Sequence, residues 1–485
     1  RREEVGARGG VPCISCPDCA PGAASSPDDL MVKPARWKAL PLAAYSAPSL
    51  ITSVAALPMA LFVPAFYADQ LGLPLAAVGM ALAASRLLDV VTDPAIGVLS
   101  DRLRLPLGRR KPWMLLGTPL FMISLWKIFV PGETASALYL AGWSALLYLG
   151  FTMIDLPHKA WGAELSTDYD ERSRITSWRE ALSTTGQVAL LACLVWLVEM
   201  GVNDVAVQLH AVAVAIVLAL PVLLGLCLFT TPEHPPERLD HGPRSTREGW
   251  IIVARNPAFL RMVGCVFLFV SGVVIQGTLH RLVLADVMGD EARFPLMILL
   301  ENVATLAMVP VWLAISIRIG KHRALAVAAL WLAAWSLPLA FLREGDTTIM
   351  IINIVIRGSS FASILFLANS IAADVIDVDT LESGEQRSGL FFAVWGMVIK
   401  LALGVGVLLG TALPAEFGYD PSAVSVSGDV QSALMSIYGI VPAVLMGLGA
   451  LFLRGFPVTK QVHAQIRAKL EARAMPRSIP LNTSA

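Results

Sequence analysis

Twelve apolar runs, each about as long as a bilayer-crossing helix, constrain this chain more than any motif within it. They fall at about 40–67, 74–99, 113–131, 136–157, 179–200 and 205–230, then at about 257–284, 295–317, 324–342, 347–372, 389–413 and 431–453. A hydrocarbon core roughly 30 Å thick needs about 20 apolar residues in a helix that rises ~1.5 Å per residue. Composition agrees. Hydrophobic residues make up 56% of the 485, charged residues 15%, and mean hydropathy is +0.66. A soluble domain carries about 25% charged residues. The expected class is an all-α membrane protein with twelve transmembrane helices. Formal net charge is zero, so nothing points to nucleic acid. Neither a nucleotide-binding motif nor a covalent catalytic constellation is found in the sequence, so no enzyme activity, cofactor or metal is expected.

The runs divide as six, a linker and six. The break TPEHPPERLDHGPRSTREGW is rich in Pro and charge. The expected division is a disordered or non-native segment at 1–39, a six-helix half at 40–231, and a cytosolic linker at 232–256. A second half at 257–454 and a cytosolic tail at 455–485 complete it. Within the first segment, Cys13, Cys16 and Cys19 have a spacing that could suit a soft metal, but no second Cys or His cluster completes a site. Met31 reads as a natural start. The single Cys193, Cys227 and Cys265 read as packing. Loop charge orients the chain. Arg102, Arg104, Arg109, Arg110 and Lys111 follow the second run, Arg172 and Arg174 the fourth, and Arg318, Lys321 and Arg323 the eighth. Arg238, Arg244 and Arg247 lie in the linker. The opposite loops are poor in Lys and Arg. The positive-inside rule therefore places both termini and the linker in the cytosol of a multi-pass inner-membrane protein.

The halves echo each other. GRRKPW after the second run matches GKHRAL after the eighth, and AELSTDYDER after the fourth resembles ADVIDVDTLESGEQR after the tenth. Arg110 and Lys321 are 211 residues apart, and Arg172 and Arg387 are 215. Two matches at similar offsets imply parallel six-helix repeats, the arrangement of the major facilitator fold, with a solute site between the halves near the midplane.

Charges inside the apolar runs carry the chemistry. The stretch SRLLDVVTDPAIGVLSDRLRLPLGRRKPW holds Arg86, Asp89 and Asp93 within the second run. Spacing of four puts both carboxylates on one helix face. A helix ending near Ser100 puts Asp89 on the order of 16 Å from the boundary at ~1.5 Å per residue. An unpartnered charge there costs at least about 2.5 kcal/mol. Such residues mark a functional site, unless Arg86 and Asp89 form a buried pair that locks packing.

These residues resemble the glycoside–pentoside–hexuronide:cation symporters, the major facilitator branch that includes melibiose permeases, over roughly residues 40–455. Asp89, Asp93, Pro94 and Gly97, then Ser100, Asp101, Arg102 and Gly108–Trp113, look like that family's second helix and loop. Thr152, Asp155 and Pro157, with Glu164–Ser166, Asp170–Arg172 and Arg179, resemble its fourth and fifth helices. Ala373, Asp374, Gly384–Gly389 and Lys400 resemble its tenth and eleventh. The resemblance implies a coupling-cation site at Asp89, Thr92, Asp93 and Thr152, and substrate or coupling roles for Asp155, Arg179 and Lys400. In the melibiose branch an Asn stands where Thr92 is, and a first-helix carboxylate stands at Ser53. A hydroxyl there offers fewer hydrogen bonds than a charged acceptor.

Other readings stay open at several positions. Asp155 and Lys400 could form a salt bridge across the halves. Trp161 and His158, past a helix-breaking Pro157, stack on a ring substrate or anchor the interface. Glu301, Asn302, Asn353 and Arg357 line the cavity, or Glu301 simply pairs with Arg357. Asp101, Arg102, Arg109, Arg110 and Arg387 are the expected gate at the cytosolic helix ends. The expected function is symport of a sugar, glycoside or similar polar solute with Na⁺ or H⁺. The alternatives are a cation-coupled lipid carrier and a non-transporting scaffold. Expected partners are the solute, the cation and the bilayer, with the protein as a monomer.

Overall fold

The computed structural model describes residues 37–103, 107–132, 135–202, 204–233, 253, 255–384, 387–419 and 426–474. Helices dominate because a chain in hydrocarbon must satisfy its backbone internally. The first half holds α1 (Ala39–Thr52), α2 (Ala56–Ala65), α3 (Leu75–Arg102), α4 (Lys111–Phe129), α5 (Ala137–Glu164), α6 (Tyr169–Glu199) and α7 (Val205–Thr230). The second holds α8 (Pro257–Asp286), α9 (Phe294–Ile319), α10 (Lys321–Ser336), α11 (Thr347–Gly358), α12 (Phe361–Ser383), α13 (Ser388–Glu416) and α14 (Gly428–Phe452). A tail helix, α15 (Lys460–Ala474), follows. The pair α1 and α2 forms one crossing, and α11 and α12 form another, interrupted at Ser359 and Ser360. Among the described residues ten crossings are long and apolar enough to span a bilayer, and α3 and α6, at 28 and 31 residues, complete twelve.

Short polar side chains close several first turns. Ser136 accepts the Tyr139 N–H at 3.2 Å, Asp204 that of Ala206 at 2.9 Å, and Asn256 that of Phe259 at 3.0 Å. Three boundaries differ from the expected ones. The fifth crossing starts at Tyr169, not near 179, because Glu171 and Arg172 of its first turn are buried in polar contacts instead of facing water. The tenth runs to Ser383, beyond 372, since its acidic end finds cationic partners. Pro157 does not break the fourth crossing: α5 continues through it to Glu164. A proline removes one N–H, and packed neighbours hold the helix around it.

The cores show where the halves meet. One apolar cluster joins Ile96, Leu156 and Ala160 of the first half to Phe391, Ala393 and Trp395 of the second. A separate cluster around Tyr45, Phe121 and Trp161 belongs to the first half, and one around Leu279, Met297 and Tyr438 to the second. The shared core lies toward the end that carries the α3–α4 and α5–α6 connections, here termed the basic end. In α15, Ile466 and Leu470 pack against Val378 and Leu381 of α12. Residues 1–36, with Cys13, Cys16 and Cys19, most of the linker, with Arg238, Arg244 and Arg247, and Arg104 lie outside the described residues, as do the side chains of Arg86 and Asp89.

Candidate functional site

Asp93 sits nine residues inside α3 from Arg102, about 14 Å at ~1.5 Å per residue, and is 3% exposed. Thr152 of α5 donates its hydroxyl to Asp93 Oδ1 at 2.7 Å. Lys400 of α13 donates from Nζ to Oδ2 at 2.6 Å. Gly396, one turn before Lys400, leaves the space this approach requires: a Cβ there would stand 3.2 Å from Oδ2. Three of the expected residues are thus brought together, and each oxygen of one carboxylate has a partner. Thr92 is half-buried beside them. The ion pair joins the two halves within the bilayer, where losing one partner leaves an uncompensated charge worth about 3–5 kcal/mol.

A second group lies in the first half. Asp155 pairs with Lys159 at 2.5 Å and stands 3.8 Å from Arg179. The salt bridge between Asp155 and Lys400 considered from sequence does not form; each pairs elsewhere. Lys159 had no assigned role in the sequence, although its spacing of four from Asp155 on a helix was visible. Ser53 is half-buried and donates to the carbonyls of Ser183, at 2.8 Å, and Leu50, at 3.1 Å, so its hydroxyl ties α1 to α6. Trp161 is fully buried against Tyr45, edge to face, and its indole N–H donates to the Pro232 carbonyl at 3.2 Å. It anchors the packing and is not stacked over an open site. His158 is likewise buried, bonded to the Tyr45 carbonyl at 2.9 Å.

The basic end is closed by two clusters. In one, Arg110 reaches Asp101 at 2.7 Å, Glu164 at 2.6 Å and Ser388 Oγ at 2.6 Å. Arg109 reaches Glu164 at 2.7 Å, and Ser388 also donates to Glu164. Burial works against the Arg110 charge, but Glu164 and Asp101 outweigh it and hold the guanidinium above its ordinary pKa. Arg109 shares those carboxylates and shifts the other way, through burial and then the charge of Arg110. Asp101 also accepts the Gly389 and Leu390 N–H groups at 2.9 and 3.0 Å. In the other cluster Arg172 meets Asp377 at 2.6 Å and Asp374 at 3.2 Å, and Lys321 meets Asp374 at 2.5 Å. His463 of α15 joins through Asp377 at 2.9 Å. The clusters are related as the sequence repeats are. Each combines a loop cation after the second helix of a half, an acid ending the fourth, and the start of the fifth helix of the other half. Arg102 is exposed at the end of α3 and, among the described residues, stands outside this network. Arg387 is 4.0 Å from Asp379 within its own half.

In the second half Glu301 and Arg357 pair at 2.7 Å, with Arg357 also bonded to Gln276. Of the residues sequence reasoning assigned no gating part, Glu164, Lys321, Asp374 and Asp377 stood within the repeated segments. His463 had no signal of its own.

The sequence pattern of the MFS/sugar transport protein family matches residues 44–460. The inner membrane symporter YicJ of Escherichia coli is 26% identical over 82% of this chain and 86% of its own length. The putative glycoside/cation symporter YagG of the same organism is 26% identical over 78% and 83%. Among solved structures, the E. coli fucose:proton symporter FucP superimposes with a TM-score of 0.60 at 15% identity, covering 87% of this chain and 98% of that one. Twelve crossings in two sets of six, closed by paired charge clusters at one end, are the major facilitator fold. The chain belongs to the MFS/sugar transport protein family, in its glycoside–pentoside–hexuronide:cation symporter branch.

Proposed function

We propose that the protein is a cation-coupled symporter that carries a sugar, glycoside or similar polar organic solute inward across the inner membrane, with the basic end in the cytosol. The observation that carries this reading is the Lys400–Asp93 pair at 2.6 Å between the halves. Both relatives named above are called symporters. Na⁺ or H⁺ needs oxygen ligands, and Asp93, Thr152 and Thr92 supply them, with Asp89, four residues earlier in the sequence, the further ligand that the family resemblance implies. Because Lys400 occupies Oδ2, an arriving cation displaces it. The ammonium holds the empty halves together, and the cation takes its place when the site fills.

Coupling supplies the work. One charge crossing ~100 mV contributes about 2.3 kcal/mol, and a tenfold gradient adds about 1.4 kcal/mol. Together, about 3.7 kcal/mol sustains roughly 500-fold accumulation. The test is uptake by purified protein in sealed vesicles, with a panel of sugars and glycosides under imposed Na⁺ or proton gradients. Uptake above equilibrium that vanishes when the gradient is collapsed supports symport. Equal uptake with and without a gradient rejects it.

A further inference from the structure

The two clusters at the basic end are alike in plan but differ in how the loop cation reaches across the seam. Arg110 of the first half touches the second directly, through Ser388. Among the described residues Lys321 of the second half forms no ion pair with the first. Its ammonium is 2.5 Å from Asp374, within its own half. The charges of Asp170 and Arg172 on α6 act on it from farther off and with opposite signs. Asp170 is itself engaged by Lys460 at 2.5 Å. The direct polar partner that Lys321 finds in the first half is Tyr169.

Tyr169 opens α6 and is 5% exposed. Its ring faces the Lys321 ammonium, with Nζ 3.7 Å from the centroid. Its hydroxyl accepts the Lys321 backbone N–H at 3.1 Å. His463 of α15 stands against the same ring, with centroids 5.6 Å apart and planes tilted by 51°. An aromatic face attracts a cation through its quadrupole, most strongly where water is excluded. Lys321 is fully buried, so the ring supplies part of what hydration cannot.

The helix caps differ as well. The first N–H groups of a helix have no acceptor within it. Around the start of α4 they are met from inside the first half. The Glu233 carboxylate, just past α7, accepts from the Arg109 N–H at 2.5 Å and the Arg110 N–H at 2.8 Å. The start of α10 is preceded by Gly320, which has no side chain to offer, and the Lys321 N–H takes its acceptor from α6 of the opposite half. Parting the halves leaves the α4 cap in place and removes that of α10.

We infer that Tyr169 is a positioning residue of the gate: it holds Lys321 by its ring and the start of α10 by its hydroxyl, and so closes the second cluster across the seam. Both contacts run from α6 to α10, so opening breaks them together. This rests on the transport reading only in requiring that the basic end open and close.

The test is the open fraction of the basic end, read from spin labels at the exposed Leu103 and Val327 on the full chain in vesicles. Tyr169→Phe, and then phenylalanines with one, two and three ring fluorines at the same position, weaken the ring face in steps at nearly constant size. The long-distance population is expected to rise at each step. It should stand about tenfold above the parent with three fluorines and in Tyr169→Leu. In a Lys321→Met background the fluorine steps should vanish, while the effect of Tyr169→Phe, which reports the hydroxyl, remains. Backbone hydrogen exchange at Lys321 should quicken in Tyr169→Phe, with exchange at Arg110 unchanged. Fluorine steps that are flat, or that survive Lys321→Met, overturn the role of the ring. Unchanged exchange at Lys321 overturns that of the hydroxyl. Should Tyr169→Leu not fold, the fluorinated series, which keeps the packing, decides. A fluorine trend in a protein that accumulates no solute under either gradient rejects symport and leaves the role of Tyr169 standing. Gradient-driven accumulation with a flat trend does the reverse.

Discussion

The carboxylate of Asp101 caps a helix of the opposite half: it accepts the Gly389 N–H at 2.9 Å, where α13 begins. An acid at a helix N-terminus contributes about 0.3–1 kcal/mol, and up to about 2 when partly buried. It reaches that far because α3 and α13 cross on glycine. A Cβ at Gly97 would stand 2.7 Å from the Gly389 carbonyl oxygen, and one at Gly389 would stand 2.5 Å from that of Gly97. Without a strong solvent-driven force between helices, such close backbone contact is what association in a bilayer relies on.

Gly389→Ala should therefore loosen the basic end. Overpacking of this kind costs about 1–3 kcal/mol, which shifts a closed-to-open equilibrium by roughly five- to 150-fold. Spin labels at the exposed Leu103 and Val462 would show a longer distance population. An unchanged distance distribution in a folded variant would show that the crossing does not hold this end shut.

Asp93→Asn should abolish gradient-driven accumulation while leaving the protein in the membrane at normal abundance. The amide keeps the size and an acceptor for Thr152, but it loses the charge that a cation must meet. Uptake should fall from the coupled level to simple equilibration, read as the ratio of internal to external solute. Full accumulation would remove Asp93 from the cation site.

Lys400→Ala is expected to separate driven uptake from exchange. Without the ammonium, nothing competes with the cation at Asp93 Oδ2, so the empty carrier loses its means of telling filled from unfilled. Accumulation should collapse and dependence on the driving cation should weaken, with downhill exchange retained. Lys400→Arg should rescue only in part, because a guanidinium is larger and differently shaped. Parental accumulation by Lys400→Ala would make the residue structural.

Replacing Arg109 and Arg110 together with Gln strips the cations from Glu164 and Asp101, which then stay buried with only the Ser388 hydroxyl and the Gly389 and Leu390 N–H groups to meet their charge. Removing one side of a buried pair costs about 3–5 kcal/mol. The expected outcome is faster labelling of cysteines placed at the basic end and a lower transport rate. If neither changes while orientation is preserved, those arginines serve only as topology signals.

The twelve crossings were legible because hydrocarbon imposes one length and one composition on each. The Asp93, Thr152 and Lys400 grouping was legible in part. Charges that cost several kcal/mol apiece announce themselves, but only packing could decide that Lys400 meets Asp93 and not Asp155. Charge misled at the start of the fifth crossing, where Asp170, Glu171 and Arg172 read as a solvated loop and instead begin α6. Trp161 and Ser53 were less legible. Residue type alone leaves a site role and a packing role open, and nothing local says that one is buried against Tyr45 and the other tied to the Ser183 carbonyl. The partnership of His463 with Asp377 spans 86 residues and had no spacing to betray it.

The paired clusters at the basic end bear on how that end opens. A bundle fastened at one point can swing about it, and a partial opening leaves the fastening intact. Here Arg110 grips the start of α13 while Arg172 grips the end of α12, on two edges of the same seam. Swinging about either strains the other. The end should therefore part in one concerted step, with no half-open form through which ions could slip without solute.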